Sequence, residues 1–261
     1  MSAIIIESGI VHYEALGRGK PLLLLHGWLG SWRYWVPVME ELSVEYRVYA
    51  FDLWGFGDSD RRADRYDVES YVRLLDAFIE NLGILHMPLP VVGHSLGAVV
   101  ALLWAMRNPD RIDRVMAVSL PLAGNSINNR LMTSEALELF DGSFNHQPPN
   151  FLALQLEARK ADDEAVINSV HSVMGLHMLP ELDRIDVPVL LVHGERDEVV
   201  TPFDGSELCA SQYVRGIRLA ESRHFPMLDE QTKFNRLLRD FLIATDLTSV
   251  NLKDEWRRRA R

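Results

Sequence analysis

Residues 91–100 read Val91-Val92-Gly93-His94-Ser95-Leu96-Gly97-Ala98-Val99-Val100. An apolar strand runs into Gly-x-Ser-x-Gly, and an apolar helix follows at once. This is the setting in which a serine is held at a sharp strand-to-helix turn. Glycines two before and two after it let strand and helix pass without a clash. The turn lifts the hydroxyl to the carboxyl end of a sheet. The backbone N–H of Leu96, at the start of the helix, then faces a developing oxyanion. The surrounding stretch also tests for a membrane segment, since no Asp, Glu, Lys or Arg occurs from Asn81 to Met106. By length it could span a bilayer, but Pro88, Pro90, Gly93 and Gly97 interrupt it, so no membrane span is expected.

Outward from this turn, short continuous apolar runs recur: Leu22–Leu25, Val48–Phe51, Val115–Val118 and Val189–Val192. Bounded by Gly, Pro or Asp, they suit strands buried on both faces of a parallel sheet. Ile4–Glu7 and Val11–Ala15 predict a strand pair with a turn at Ser8-Gly9. Gly17-Arg18-Gly19-Lys20 lacks the full spacing of a phosphate loop and reads as a plain turn. Apolar residues at helical spacing predict helices over Tyr34–Leu42, Val68–Leu82, Leu96–Arg107 and Phe234–Ala244. Strands alternating with helices give a doubly wound α/β fold.

The alternation stops between Leu122 and Asp183. Ser126–Phe140 and Asp162–Met178 predict helices there, the second with Ile167, Val170 and Met174 on one face, and Pro148-Pro149 separates them. The expected division is a core of residues 1–121 and 184–245, a helical insertion at 122–183, and a polar, basic tail at 246–261.

The chain has 261 residues, 48% apolar and 25% charged, the composition of a globular protein rather than a disordered or collagen-like one. Lys and Arg number 27 against 37 Asp and Glu, a net charge of −10. So acidic a chain does not favour nucleic acid, whose phosphates demand a positive face. The single cysteine, Cys209, allows no intrachain disulfide, and the first residues lack the basic start and long apolar run of a signal peptide; a cytoplasmic setting is expected. No zinc-type His-Glu-x-x-His and no complete Gly-x-Gly-x-x-Gly occurs, so neither metal nor organic cofactor is expected.

Four motifs in order resemble the α/β-hydrolase superfamily, in its serine-nucleophile, esterase- and lipase-like branch with a helical cap. They are His26-Gly27-Trp28-Leu29-Gly30, Asp52-Leu53-Trp54-Gly55-Phe56-Gly57-Asp58-Ser59, the turn at Ser95, and the pair Gly194-Glu195-Arg196-Asp197 and Ser222-Arg223-His224. The resemblance spans about Ile4 to Ala244 and implies a mostly parallel eight-stranded sheet, with the insertion at 122–183 as the cap. It also implies the order nucleophile, acid, histidine, met by Ser95, Asp197 and His224, with Glu195 and Asp204 as nearby carboxylates. In the family the first loop supplies a second oxyanion-hole amide, here the N–H of Trp28, beside that of Leu96. His26 and Asp52 are expected to be structural. Trp28 is expected to wall the pocket, Trp32 and Trp35 to pack in the core, and His94, His171, His177 and His193 to be ordinary core or surface histidines.

Serine at the turn separates this chain from haloalkane dehalogenases and epoxide hydrolases, relatives that use aspartate there. An ester on aspartate is opened by water at its carbonyl, whereas an ether on serine is not. The expected reaction is therefore acyl transfer: hydrolysis of a small or medium carboxylic ester with an apolar part. The same triad also serves carbon–carbon bond, lactone or amide hydrolysis and perhydrolysis, and a ligand-binding receptor on the same fold is a third possibility.

Overall fold

A computed structural model describes residues 2–84, 87–205, 208, 211–247 and 250. Cys209 and most of the basic tail lie outside the described residues. Eight strands, β1 (Ser2–Ile6), β2 (Gly9–Leu16), β3 (Lys20–Leu25), β4 (Tyr46–Phe51), β5 (Leu89–His94), β6 (Ile112–Val118), β7 (Val189–Gly194) and β8 (Val214–Leu219), form one sheet in the order β1-β2-β4-β3-β5-β6-β7-β8. β1 and β2 pair antiparallel, as do β2 and β4, and the remaining neighbours are parallel. Burial follows position: β5 and β7 are buried at every residue, while the edge strand β1 alternates. Continuous apolar sequence therefore marks the covered middle of the sheet.

The helices are α1 (Val36–Leu42), α2 (Val68–Leu82), α3 (Leu96–Arg107), α4 (Ala136–Asp141), α5 (Phe151–Ala158), α6 (Asp163–Met174), α7 (Met178–Leu182), α8 (Pro226–Asp229) and α9 (Gln231–Ile243). α2 packs on α3, and α1 on α9. The chemistry of the ends explains α2: the Asp67 side chain accepts from the Ser70 N–H at its start, and Gly83 takes a left-handed φ of 60° at its end. Among the described residues no helix is long and apolar enough to cross a membrane.

Several predicted boundaries need correction. The β1–β2 turn is Glu7-Ser8, both at positive φ (47° and 65°), rather than Ser8-Gly9. Two positive φ values give a turn whose twist matches the hairpin, and Gly9 sits in β2 against the Trp54 ring. The helix predicted over Tyr34–Leu42 is a 3₁₀ turn at Trp32–Trp35 followed by α1, because Pro37 has no N–H to donate and must lie in the first turn. The last helix begins at Gln231, three positions before the predicted Phe234.

The region between β6 and β7 contains only isolated bridges among its helices, as the broken alternation implied. Its helices are shorter than predicted. Ser126–Phe140 breaks into 3₁₀ turns and α4, and Asp162–Met178 into α6 and the start of α7. α5 lacks the apolar/polar periodicity that would have revealed it: Leu152 and Leu156 point outward, 75% and 64% exposed. On α6 the buried face is Ala165, Val166, Ser169, Val170 and Val173, with Met174 turned to solvent.

The sheet–helix core is anchored by aromatic packing. Phe78 of α2, fully buried, stacks on Phe51 of β4 at 4.3 Å and meets Tyr13 of β2 edge-on at 5.4 Å. Phe78→Ala removes both contacts and leaves a cavity, at an expected cost of about 3–5 kcal/mol. The drop in urea midpoint, with unchanged slope, measures it.

Candidate active site

Ser95 joins β5 to α3 with φ 54° and ψ −115°, in the left-handed region that side chains avoid. The strain is held in place. The Ser95 N–H donates to the Val118 carbonyl at 2.8 Å, tying the turn to β6. A Cβ on Gly93 would lie 2.3 Å from the Gly97 carbonyl oxygen, and one on Gly97 would lie 2.5 Å from that of His26. Both glycines thus admit backbone where a side chain cannot fit. Ser95 is fully buried, and its Oγ makes no hydrogen bond within the described chain.

His224 lies between β8 and α8, with Nδ1 2.8 Å from Asp197 Oδ2. Asp197 follows β7, and its Oδ1 accepts the N–H groups of Val199 and Val200 at 2.9 and 3.0 Å. Burial alone would raise the Asp197 pKa, but the charge of His224, then hydrogen bonds from His193 and His224, hold it far below the usual carboxylate range. A carboxylate so placed makes Nδ1 of His224 the protonated nitrogen and leaves Nε2 able to accept. Glu195 is exposed, its nearest cation being Arg218 at 3.9 Å, and Asp204 is exposed as well. The structure brings Asp197 to His224.

One buried chain of hydrogen bonds joins the loops around these residues. The Gly27 N–H donates to Tyr34 Oη at 2.6 Å, Tyr34 Oη is 2.9 Å from His94 Nδ1, and His94 Nε2 is 2.8 Å from the His224 carbonyl oxygen. That oxygen can only accept, so His94 carries its proton on Nε2. Burial, then the nearby His224, lowers the His94 pKa well below that of a free imidazole, so Nδ1 is bare and accepts from Tyr34. Burial likewise raises the Tyr34 pKa well above that of a free phenol. Ser119 Oγ donates to the same His224 carbonyl at 3.0 Å, and the His224 N–H donates to the Ser143 carbonyl at 3.1 Å. Sequence reasoning left Tyr34, Ser119 and Ser143 unassigned and gave His94 no role. Only the adjacency of His94 to Ser95 could have signalled it.

The loop after β3 approaches Ser95 closely, since a Cβ on Gly27 would lie 2.6 Å from that of Ser95. The N–H groups of Trp28 and Leu96, on either side of this contact, form no hydrogen bond among the described residues. His26 fixes the loop, with Nδ1 2.9 Å from the Gly27 carbonyl oxygen and Nε2 accepting the Leu53 N–H at 2.9 Å. Asp52 accepts from the N–H groups of Trp32 and Asp58 and from His12. His12, Asp52 and Asp58 also form the one potential metal-ligand cluster among the described residues. It does not suit a metal ion: Asp58 is paired with Lys160 at 2.7 Å and Arg33 at 3.6 Å, and Asp52 is committed to its donors.

The helical region between β6 and β7 covers the carboxyl ends of the strands. Trp28 Nε1 donates to Ser169 Oγ of α6 at 2.9 Å, Tyr66 Oη to Asp162 at 2.8 Å, and Arg33 Nε to Glu157 of α5 at 2.8 Å. Beneath it, about 10 Å³ of open space remains beside His224, walled by Trp28, Leu29, Leu131, Leu139, Phe140, Val199 and Phe225. A larger cavity of about 420 Å³ lies further out, lined by Leu131, Met132, Leu137, Val166 and Ile167, with Arg159 and Asp163. Leu29 and Leu131 line both. Trp28 walls the pocket as expected and Trp35 is fully buried.

Comparison with known proteins agrees with this architecture. Residues 20–173 match the family described as alpha/beta hydrolase fold. The chain is 30% identical to a pimeloyl-[acyl-carrier protein] methyl ester esterase of Chromobacterium violaceum, over 88% of this chain and 96% of that protein. It is 34% identical to a soluble epoxide hydrolase of a Corynebacterium species, over 42% of this chain and 38% of the relative. The enol-lactonase of Burkholderia xenovorans superposes with a TM-score of 0.81 at 21% identity, covering 93% of this chain and all of that one (100%). The sheet order, the strained serine turn and these likenesses agree, and the chain belongs to the α/β-hydrolase family.

Proposed function

We propose that the protein hydrolyses carboxylic esters through an acyl-enzyme on Ser95. The observation that carries this reading is a serine at the strained turn, tied through His94 to the loop of His224, whose other nitrogen is held by an ionised Asp197. His224 Nε2 takes the Ser95 proton as Oγ bonds to the carbonyl carbon. The resulting oxyanion accepts hydrogen bonds from the Trp28 and Leu96 amides. The intermediate collapses by breaking the bond to the alkoxy group, which leaves as an alcohol with the proton from His224. Water then attacks the acyl-enzyme with His224 as base, releasing the acid and restoring Ser95. Asp197 stays ionised throughout and stabilises the imidazolium.

Epoxide opening, the activity named for the Corynebacterium relative, is disfavoured by Ser95, since an ether on serine has no carbonyl for water to attack. The methyl ester cleaved by the Chromobacterium relative supports a small alcohol group. The split cavity fits the same pattern: little room beside His224 and about 420 Å³ further out, within the usual range for a ligand site. We take residues 122–183 as the cap, over a core of residues 1–121 and 184–245. The outer cavity receives the longer, partly apolar arm of the substrate.

A fluorophosphonate probe is expected to add one label at Ser95, absent in Ser95→Ala. A label elsewhere, with Ser95 free, overturns the assignment. Asp197→Asn keeps the size but can donate, favouring the wrong tautomer of His224, and turnover of p-nitrophenyl esters is expected to fall on the order of 10²–10⁴-fold. Because the Asp197 pKa is depressed, its charge persists as pH falls; kcat/KM is expected to fall with acid through one proton taken up by the general base, with no carboxylate limb between about pH 4 and 5. Leu131→Ala opens the wall shared by the two cavities and is expected to raise the hexanoate-to-acetate ratio of kcat/KM several-fold.

A further inference from the structure

Asp197 Oδ2 has a second imidazole neighbour besides His224. His193, on β7 and 1% exposed, places Nε2 3.0 Å from that oxygen and 3.1 Å from the Val200 carbonyl oxygen. The Val200 carbonyl can only accept, so Nε2 carries the proton and gives it to that oxygen, with Oδ2 close beside. The ring is set edge-on to Phe203 at 6.0 Å. Oδ1 is filled by the Val199 and Val200 amides, which leaves Oδ2 bonded to His224 with the His193 ring edge 3.0 Å away.

Building on the triad reading above, we propose that His193 is a positioning residue: its Nε2–H, given to the Val200 carbonyl, sets the peptide whose N–H holds Asp197 Oδ1, and its ring edge, 3.0 Å from Oδ2, draws part of the negative charge of that oxygen away from His224. Two consequences follow from one oxygen facing two imidazoles. The carboxylate is fixed in the rotamer that meets His224 Nδ1, because its Oδ1 is held by two amides, one of them on the Val200 segment that His193 fixes. The His224 imidazolium is also stabilised less than by an Oδ2 committed to it alone, so His193 keeps the general base from becoming too basic to release its proton to the leaving group. Among the described residues, the other titratable group set against His224 is His94, with ring centroids 4.6 Å apart. Burial keeps His94 neutral, so it does not supply this effect.

The test compares wild type, His193→Leu and His193→Gln, whose amide can place an N–H where Nε2 stands. Labelling of Ser95 by a fluorophosphonate is read against pH, with kcat and KM for p-nitrophenyl acetate. His193→Leu is expected to lose about 10–100-fold in labelling rate and kcat with KM within about twofold, and its acid limb is expected to move up by about 0.5–1 pH unit, the loss being of the size of one positioning hydrogen bond to a charged group. His193→Gln is expected to return within about threefold of wild type with the limb restored. A merely structural histidine would lower thermal stability and leave the limb in place. Nitrogen-15 NMR of the wild-type imidazoles provides a test that needs no variant: His193 is expected to be protonated at Nε2, and a bare Nε2 overturns the proposal. So does a Leu variant that labels at the wild-type rate with an unmoved limb. Failure of the wild type itself to label at Ser95 removes the triad reading instead, so the two failures are distinguishable.

Discussion

A single neutral imidazole, that of His94, ties together the three loops on which the site depends. Its two nitrogens have different obligations: Nε2 must donate to the carbonyl of His224, and Nδ1 must accept from Tyr34, which in turn accepts the Gly27 N–H. The strained turn, the loop after β3 and the histidine loop are therefore set by one directional chain. In a dry interior such a chain tolerates no slack, since any unmade bond leaves a buried polar group unpaired, at about 1–3 kcal/mol. Protonating His94 would place a second donor against Tyr34 and a charge beside His224, and burial opposes both. The chain thus supplies part of what holds Ser95 at a backbone angle that an isolated residue would leave.

The outer loops follow the same logic with a different hub. Asp52 gathers amides from the segments at Trp32 and Asp58 and the ring of His12, while His26 joins the strand-end loop at Gly27 to Leu53. The bonds of His12 to Asp52 and of the Leu53 N–H to His26 are buried and join segments far apart in sequence. They explain why two polar residues stay in otherwise apolar surroundings.

The parallel strands and the serine turn were legible in the sequence because their determinants are local: continuous apolar runs, and glycines flanking a serine. The placement of Asp197 and His224 was legible only through the family's motif order, since nothing local separates Asp197 from Glu195. The cap was poorly legible. Its short helices bury small, irregular faces on one another and on the body, so α5 shows no period, and Leu152, which looks like a core residue, is 75% exposed. His94 and His193 were read as ordinary core or surface histidines. Their burial fits that reading, but their hydrogen-bond partners lie on other loops, and the fold alone brings them together.

The small space beside His224 bears on which molecule finishes the reaction. About 10 Å³ is near the lower limit for one water molecule, which needs roughly 10–15 Å³ of such volume and two or more polar partners. In the proposed reaction, bulk discriminates there among nucleophiles competing for the acyl-enzyme. Water fits beside the imidazole, whereas an acceptor larger than the small alcohol group proposed for the substrate must displace Leu29, Leu131 or the aromatic wall. On the proposed mechanism, the aromatic packing around the histidine would bias the partition of the acyl group toward the free acid, even where bulkier acceptors are abundant.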